Sequence, residues 1–80
     1  MIIGKTTDKC NICGLHVREA REKLKLSQDQ LAAKLQTEGL GVNQNSVSRI
    51  ETGKRIVADF ELAALSKVLN VDVSWLLQDE

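Results

Sequence analysis

The chain has 80 residues, and its 11 basic side chains balance its 11 acidic ones, so the net charge is zero. A chain of this length holds one domain, which argues against a large enzyme cleft. One Phe, one Trp and no Tyr disfavour a β-sandwich and a stacking platform for single-stranded nucleic acid, whereas the abundance of Leu favours helices.

An N-terminal arm precedes the first predicted helix. Residues 1–11 have no apolar period and predict a flexible arm, followed by a folded domain over residues 12–80. The next apolar residues are spaced four, three and four apart, which places them on one face of a helix over residues 12–24. They are Cys13, Val17, Ala20 and Leu24.

A capping motif marks the start of the second predicted helix. Ser27, followed three residues later by Gln30, matches a capping box for a helix over about residues 28–36. The apolar stripe of this helix is Leu31, Ala32 and Leu35. Gly39 and Gly41 then break the helix and predict a turn.

The third predicted helix has one apolar side and one polar side. Asn43 suits an N-cap and Gly53 suits a helix C-terminus, which predicts a helix over residues 44–52. At about 100° of rotation per residue, Val47 and Ile50 fall on the apolar side. The opposite side carries amides, hydroxyls and a guanidinium: Gln44, Asn45, Ser48, Arg49 and Thr52. These groups suit base edges in the major groove, although a solvated polar face is the alternative.

Two further helices complete an all-α prediction. Asp59 is predicted to cap a fourth helix that ends near Asn70, and Ser74 is predicted to cap a short fifth helix. The buried side of the fourth helix is Leu62, Leu65, Val68 and Leu69. The fifth carries Trp75, Leu76 and Leu77. Five short helices without a strand pattern predict an all-α domain.

The zero net charge conceals a polarised sequence. Residues 1–58 carry ten basic and six acidic side chains, a net charge of +4, whereas residues 59–80 carry one basic and five acidic side chains, a net charge of −4. Such asymmetry indicates a half that faces nucleic acid. No apolar run approaches the roughly 20 residues of a membrane span, and no secretory signal is evident. A soluble cytoplasmic protein with reduced thiols is therefore expected.

Four segments carry a resemblance to a known family. They are Val17–Arg21, Leu26–Ala32, Ser46–Arg55 and Leu65–Leu77. In this order and spacing, the sequence resembles the helix-turn-helix domains of lambda repressor, Cro and the XRE-type bacterial regulators over about residues 12–77. The resemblance implies a five-helix lambda-repressor-like DNA-binding domain. Its turn is lengthened here by about five residues, Gln36–Leu40.

The resemblance also implies roles for individual residues. The positions that match DNA base contacts are Gln44, Asn45, Ser48 and Arg49. The positions that match phosphate contacts are Gln28, Asn43, Thr52, Lys54 and Arg55. Arg21 and Glu51 match a pair that forms a salt bridge between the first and third helices, with a solvated surface position as the alternative for Arg21.

Cys10, Cys13 and His16 resemble half of a zinc knuckle. Structural zinc needs four ligands, and the chain has no other Cys or His, so no metal and no cofactor are expected. Cys13 is interpreted as a small buried apolar residue. A redox switch is the alternative, because both thiols lie at a helix start, where thiolate is favoured. His16 is predicted to lie on the surface.

The leading hypothesis is a sequence-specific regulator of transcription that binds double-stranded DNA as a repressor or switch. The sequence contains no catalytic constellation, so an enzyme is not expected. A homodimer would read a two-fold symmetric operator, with Trp75, Leu76 and Leu77 as candidate dimer contacts, although Trp75 equally suits the core. The alternative is a protein-binding module, such as an antitoxin or controller, that docks through its acidic C-terminal half.

Overall fold

The structure, a computed structural model, describes residues 9–78, which contain five helices and no strand. The helices are α1 (Gly14–Lys23), α2 (Gln28–Thr37), α3 (Gln44–Glu51), α4 (Asp59–Leu69) and α5 (Val73–Leu76). The all-α prediction is confirmed. None of these helices has the length and apolar character to cross a membrane. Residues 1–8 of the predicted arm and residues 79–80 lie outside the described residues.

All five helices contribute to one apolar core. α3 packs against α1 and α2, while α4 packs against the same two helices and against α5. The largest apolar side chains of the core are almost completely shielded from solvent: Val17, Leu31, Leu35, Val47, Ile50, Leu65 and Leu76. Each such side chain contributes about 1.5–3 kcal/mol by leaving water. The core thus fixes α3 against two other helices.

Reciprocal capping boxes start α2 and α3. The Gln30 amide N–H donates to Ser27 Oγ at 3.0 Å, and the Ser27 amide N–H donates to Gln30 Oε1 at 2.8 Å, which confirms the predicted box. Asn43 and Ser46 repeat this arrangement, with distances of 2.9 and 3.2 Å. These bonds satisfy backbone donors that a helix start leaves open.

The long turn between α2 and α3 is held at several points. Thr37 ends α2, so the turn covers residues 38–43 and begins one residue later than the sequence indicated. Gly39 adopts φ +90°, a conformation that suits glycine. Gln36 Nε2 donates to the Val42 carbonyl oxygen at 2.7 Å, and the Val42 side chain is buried. The turn therefore sets a defined entry into α3.

Three details of the predicted helices are wrong. The N-cap of α4 is Ala58, whose amide N–H donates to Glu61 Oε1 at 3.0 Å, while Asp59 is already helical. The N-cap of α5 is Asp72, and Ser74 lies inside that helix. Leu24, predicted on the apolar face of the first helix, is instead the residue that follows the end of α1 and is 46% exposed. In each case the backbone path, which the residue types do not specify, decides the position.

The C-terminal helix packs mainly inward. Leu76 is fully buried in the core, so its assignment as a dimer contact is wrong, whereas Leu77 is 42% exposed. Trp75 packs against the core and meets His16 edge-on, with ring centroids 4.7 Å apart and an interplanar angle of 76°. His16 is therefore half-buried rather than a surface residue, because α5 folds back onto α1.

Candidate nucleic-acid interface

α3 buries one face in the core and presents its opposite, polar face to solvent. Val47, Ile50 and Glu51 are buried against the rest of the domain. The residues predicted to contact bases lie together on the outer face: Gln44, Asn45 and Arg49 are exposed, and Ser48 is half-buried. Among residues 9–78, no carboxylate lies within salt-bridge distance of Arg49.

A chain of hydrogen bonds connects α1, α2 and α3 beneath this face. Arg21 Nε lies 2.6 Å from Glu51 Oε2, and Arg21 Nη2 lies 3.1 Å from Glu51 Oε1. Gln28 Nε2 donates to Glu51 Oε1 at 3.0 Å. Gln44 Nε2 in turn donates to Gln28 Oε1 at 2.7 Å. A buried ion pair therefore positions two of the predicted DNA-contacting residues.

The Arg21–Glu51 pair is shielded from water. The two side chains are 12% and 3% exposed. The hydrogen bond to Glu51 raises the pKa of Arg21 above its ordinary value. Arg21 Nη1 also donates to the Leu26 carbonyl oxygen at 2.8 Å, just before α2. One guanidinium thus ties the end of α3 to the start of α2, the two elements that carry the predicted contacts.

The predicted phosphate contacts occupy different environments. Lys54 is exposed, just after the end of α3. The Asn43 side chain caps α3, and the Thr52 hydroxyl donates to the Ser48 carbonyl oxygen at 3.0 Å. Both residues are exposed, and they flank α3 as its N-cap and C-cap.

Arg55 differs from the expectation of a free phosphate-binding cation. Its Nη1 and Nη2 lie 3.0 Å from Glu61 Oε1 and Oε2, in a bidentate pair that is partly buried. These hydrogen bonds lower the pKa of Glu61 and raise the pKa of Arg55. The pair braces the loop between α3 and α4, so Arg55 acts in the structure as an internal tie.

Sequence reasoning missed a segment that holds the end of α3, which we call the N-terminal clasp (residues 10–14). Asn11 Nδ2 donates to the carbonyl oxygens of Ile50 at 3.2 Å and Arg55 at 2.7 Å. The Cys10 amide N–H donates to the Gly53 carbonyl oxygen at 2.7 Å. Residues 10 and 11 are thus bonded to the domain, whereas the sequence predicted them as part of the arm.

Close packing of α1 on α3 depends on Gly14 within the clasp. A Cβ atom at Gly14 would overlap the Ile50 carbonyl oxygen and would lie 3.1 Å from the Glu51 carbonyl oxygen. The Gly14 amide N–H donates to Asn11 Oδ1 at 2.9 Å, which starts α1. The absence of a side chain at this position therefore permits the backbones of α1 and α3 to meet.

The two thiols of the clasp differ in their surroundings. Cys10 is exposed, whereas Cys13 is 2% exposed and lies in the core, with Sγ 3.9 Å from Asn11 Oδ1. Burial raises the pKa of the Cys13 thiol. Within residues 9–78 there is no group of three or more Cys, His, Asp or Glu side chains arranged to hold a metal ion.

The arrangement of α2, turn and α3 can be compared with known families. A family model described as helix-turn-helix matches residues 17–76, which is well over half of the chain. The chain belongs to the XRE/lambda-repressor-like helix-turn-helix family. This helix-turn-helix protein is thus a DNA-binding regulator of transcription in the general sense. A search of curated proteins finds no significant match.

Proposed function

We propose that this helix-turn-helix protein reads a specific double-stranded DNA sequence by placing α3 in the major groove, and that it acts as a repressor or switch by occupying that sequence. The observation that carries the proposal is the exposed row Gln44, Asn45 and Arg49 on a helix whose opposite side is buried. Amides pair with adenine and guanidinium groups with guanine through two hydrogen bonds each.

The hydrogen-bond chain beneath α3 supports sequence-specific rather than purely electrostatic binding. Gln44 is held by Gln28, which is itself held by the buried carboxylate of Glu51. Holding a side chain in place before binding lowers the entropy lost when it contacts a base. The zero net charge of the chain predicts modest affinity for unrelated DNA, because non-specific affinity comes from basic side chains that neutralise phosphates.

Phosphate contacts would set the position of α3 in the groove. Lys54 lies just beyond the C-cap of α3 and is exposed, and the start of α2 at Gln28 lies within hydrogen-bond distance of Gln44. Backbone N–H groups at a helix start attract phosphate oxygens. We assign Lys54, Gln28, Asn43 and Thr52 to this role, and Arg55 to bracing the adjacent loop.

Selection of bound fragments from random DNA duplexes tests the proposal most directly. A recovered consensus is then titrated at several salt concentrations. Replacing Arg49 by alanine is expected to cost about 1–3 kcal/mol and to relax preference at one base pair, whereas Lys54→Ala should weaken binding to all duplexes and reduce the salt slope by about one.

Lys23→Ala provides a matched control for the loss of one positive charge. Lys23 is exposed at the end of α1 and pairs with Glu19 at 3.6 Å, away from the row on α3. Its replacement should leave the consensus unchanged. Recovery of no consensus, together with equal effects of Arg49→Ala and Lys23→Ala, would contradict the proposed reading by α3.

A homodimer is proposed to read two half-sites about one helical turn apart. In the C-terminal region Leu77 is 42% exposed and Val73 is 37% exposed, which makes these two residues the candidate contacts. A two-fold symmetric consensus would support the dimer. Sedimentation equilibrium should then show that Leu77→Asp associates more weakly than the wild type. Binding of a monomer to a single half-site would contradict the proposed dimer.

A further inference from the structure

The N-terminal clasp is bonded to the end of the helix that carries the predicted base contacts. Asn11 bonds one carbonyl oxygen in the last turn of α3 and another after it. The Cys10 amide bonds the Gly53 carbonyl, and the Lys9 side chain lies against Gly53. A change in these bonds therefore acts directly on the end of α3.

Two cysteines flank Asn11 within this clasp, at positions 10 and 13. The Cys10 side chain is open to solvent, and the Cys13 thiol donates to the same Asn11 oxygen that accepts from Gly14. An exposed thiol three residues from a buried one suits attack on a solution disulfide followed by internal resolution, because access governs which thiol reacts first. The DNA-reading role uses neither thiol.

We propose that Cys10 and Cys13 form a reversible disulfide whose formation releases Asn11 from α3 and lowers the affinity for DNA. The effect on affinity rests on the proposed function, whereas the disulfide and the release of the clasp do not. Disulfides in intracellular proteins are usually transient and serve catalysis or redox sensing, which is consistent with a regulatory bond at this position.

The geometry of a disulfide requires the clasp to rearrange. The two sulfur atoms must come within about 2.05 Å of each other, with their Cβ atoms about 3.5–4.5 Å apart. Cys13 now lies inside the core, whereas Cys10 lies outside it. The Cys13 sulfur therefore has to leave the core, and the turn that contains Asn11 has to close into a small ring. The Asn11 bonds to Ile50 and Arg55 are lost in that movement.

The oxidant is a low-molecular-weight disulfide, for which oxidised glutathione is the probe. The Cys10 thiolate attacks one glutathione sulfur, the S–S bond of glutathione breaks, and the first glutathione leaves as a thiolate that takes up a proton. Cys13 then loses its proton to water, its thiolate attacks the Cys10 sulfur, and the second glutathione leaves. Two protein thiols are oxidised, and one glutathione disulfide is reduced to two thiols.

The experiment compares the full chain after treatment with oxidised glutathione and with a dithiol reductant. Mass spectrometry should show the loss of two hydrogen atoms, and peptide mapping should place the bond between Cys10 and Cys13. Hydrogen exchange should accelerate at the amides of Gly53 and Lys54, which now bond to carbonyls of α3. Affinity for the selected duplex should fall by about five- to 150-fold, and reductant should restore it.

Variants separate the disulfide from other effects of oxidation. Cys10→Ser, at an exposed position, should bind DNA as the reduced wild type does and should not respond to oxidised glutathione. Asn11→Ala should reproduce the loss of affinity and the faster exchange without oxidant. Cys13→Ala, which places no polar group in the core, provides a second disulfide-free variant, and its far-UV circular dichroism checks that it is folded.

Three outcomes would overturn the proposal: failure of the bond to form, unchanged exchange at Gly53 and Lys54 in the oxidised protein, or the same loss of affinity in Cys10→Ser. Failure of the reduced protein to bind any duplex would instead contradict the proposed function. The mass and exchange measurements would still decide whether the disulfide releases the clasp.

Discussion

Replacing Arg21 by alanine tests how much the buried ion pair contributes to folding. The substitution leaves the Glu51 carboxylate, 3% exposed, with Gln28 as its remaining side-chain donor within residues 9–78. Removing one partner of a buried pair costs about 3–5 kcal/mol, because the other charge stays buried without compensation. At about 0.05–0.15 kcal/mol per residue, a domain of this size has about 4–12 kcal/mol in total, so the variant should lose a large part of its stability.

Arg18→Ala is the matched control on the same helix. Arg18 pairs with Glu22 at 3.1 Å, but the two side chains are 60% and 56% exposed, and such pairs contribute about 0–1 kcal/mol. Urea unfolding at neutral pH, followed by far-UV circular dichroism, measures both variants. If Arg21→Ala costs no more than Arg18→Ala, the assignment of the buried pair as a main tie of α3 is refuted.

Three further predictions concern other ties in the fold. Hydrogen bonds from Arg55 lower the pKa of Glu61, so this pair stabilises the protein near neutral pH and its contribution is lost as pH falls from about 5 downward. In thermal unfolding, Glu61→Gln should lose less stability on acidification than the wild type does. An equal loss of stability in the two proteins would contradict this. Asn43→Ala removes the α3 cap and should cost about 1 kcal/mol in urea unfolding, whereas an unchanged unfolding midpoint would contradict the role of this cap. Gly14→Ala places a Cβ against a carbonyl of α3 and should cost about 1–3 kcal/mol, whereas Gly41→Ala, with open space around the added atom, should be close to neutral; equal costs would contradict the close packing.

Local patterns in the sequence predicted most of the helical architecture. The capping box at Ser27 and the cap at Asn43 act within three residues, so they can be read without knowledge of the fold. The apolar periods of α1, α2 and α3 likewise follow from helix geometry. The split of α3 into a buried side and a polar side is a property of the same kind, and the structure shows it directly.

Long-range contacts explain what the sequence did not predict. The partners of Asn11 lie 39 and 44 residues along the chain and are backbone carbonyls, which every residue possesses. No residue type could therefore indicate the clasp. Arg55 matched a phosphate-binding position, but its guanidinium is paired with the carboxylate of Glu61, six residues later. The inward orientation of Leu76 depends on the path of a four-residue helix, and a helix this short shows no apolar period in the sequence.

The hydrogen bonds that link Glu51, Gln28 and Gln44 have a fixed direction. A carboxylate only accepts, so the NH₂ of Gln28 must face Glu51 and its oxygen must face Gln44. Gln44 must then donate one N–H inward, which leaves its oxygen and a second N–H for a base, the pattern that adenine accepts. A Glu51→Gln change would remove this constraint and permit both amides to flip. Under the proposed function, the buried Glu51 carboxylate thereby selects which base edge Gln44 can read.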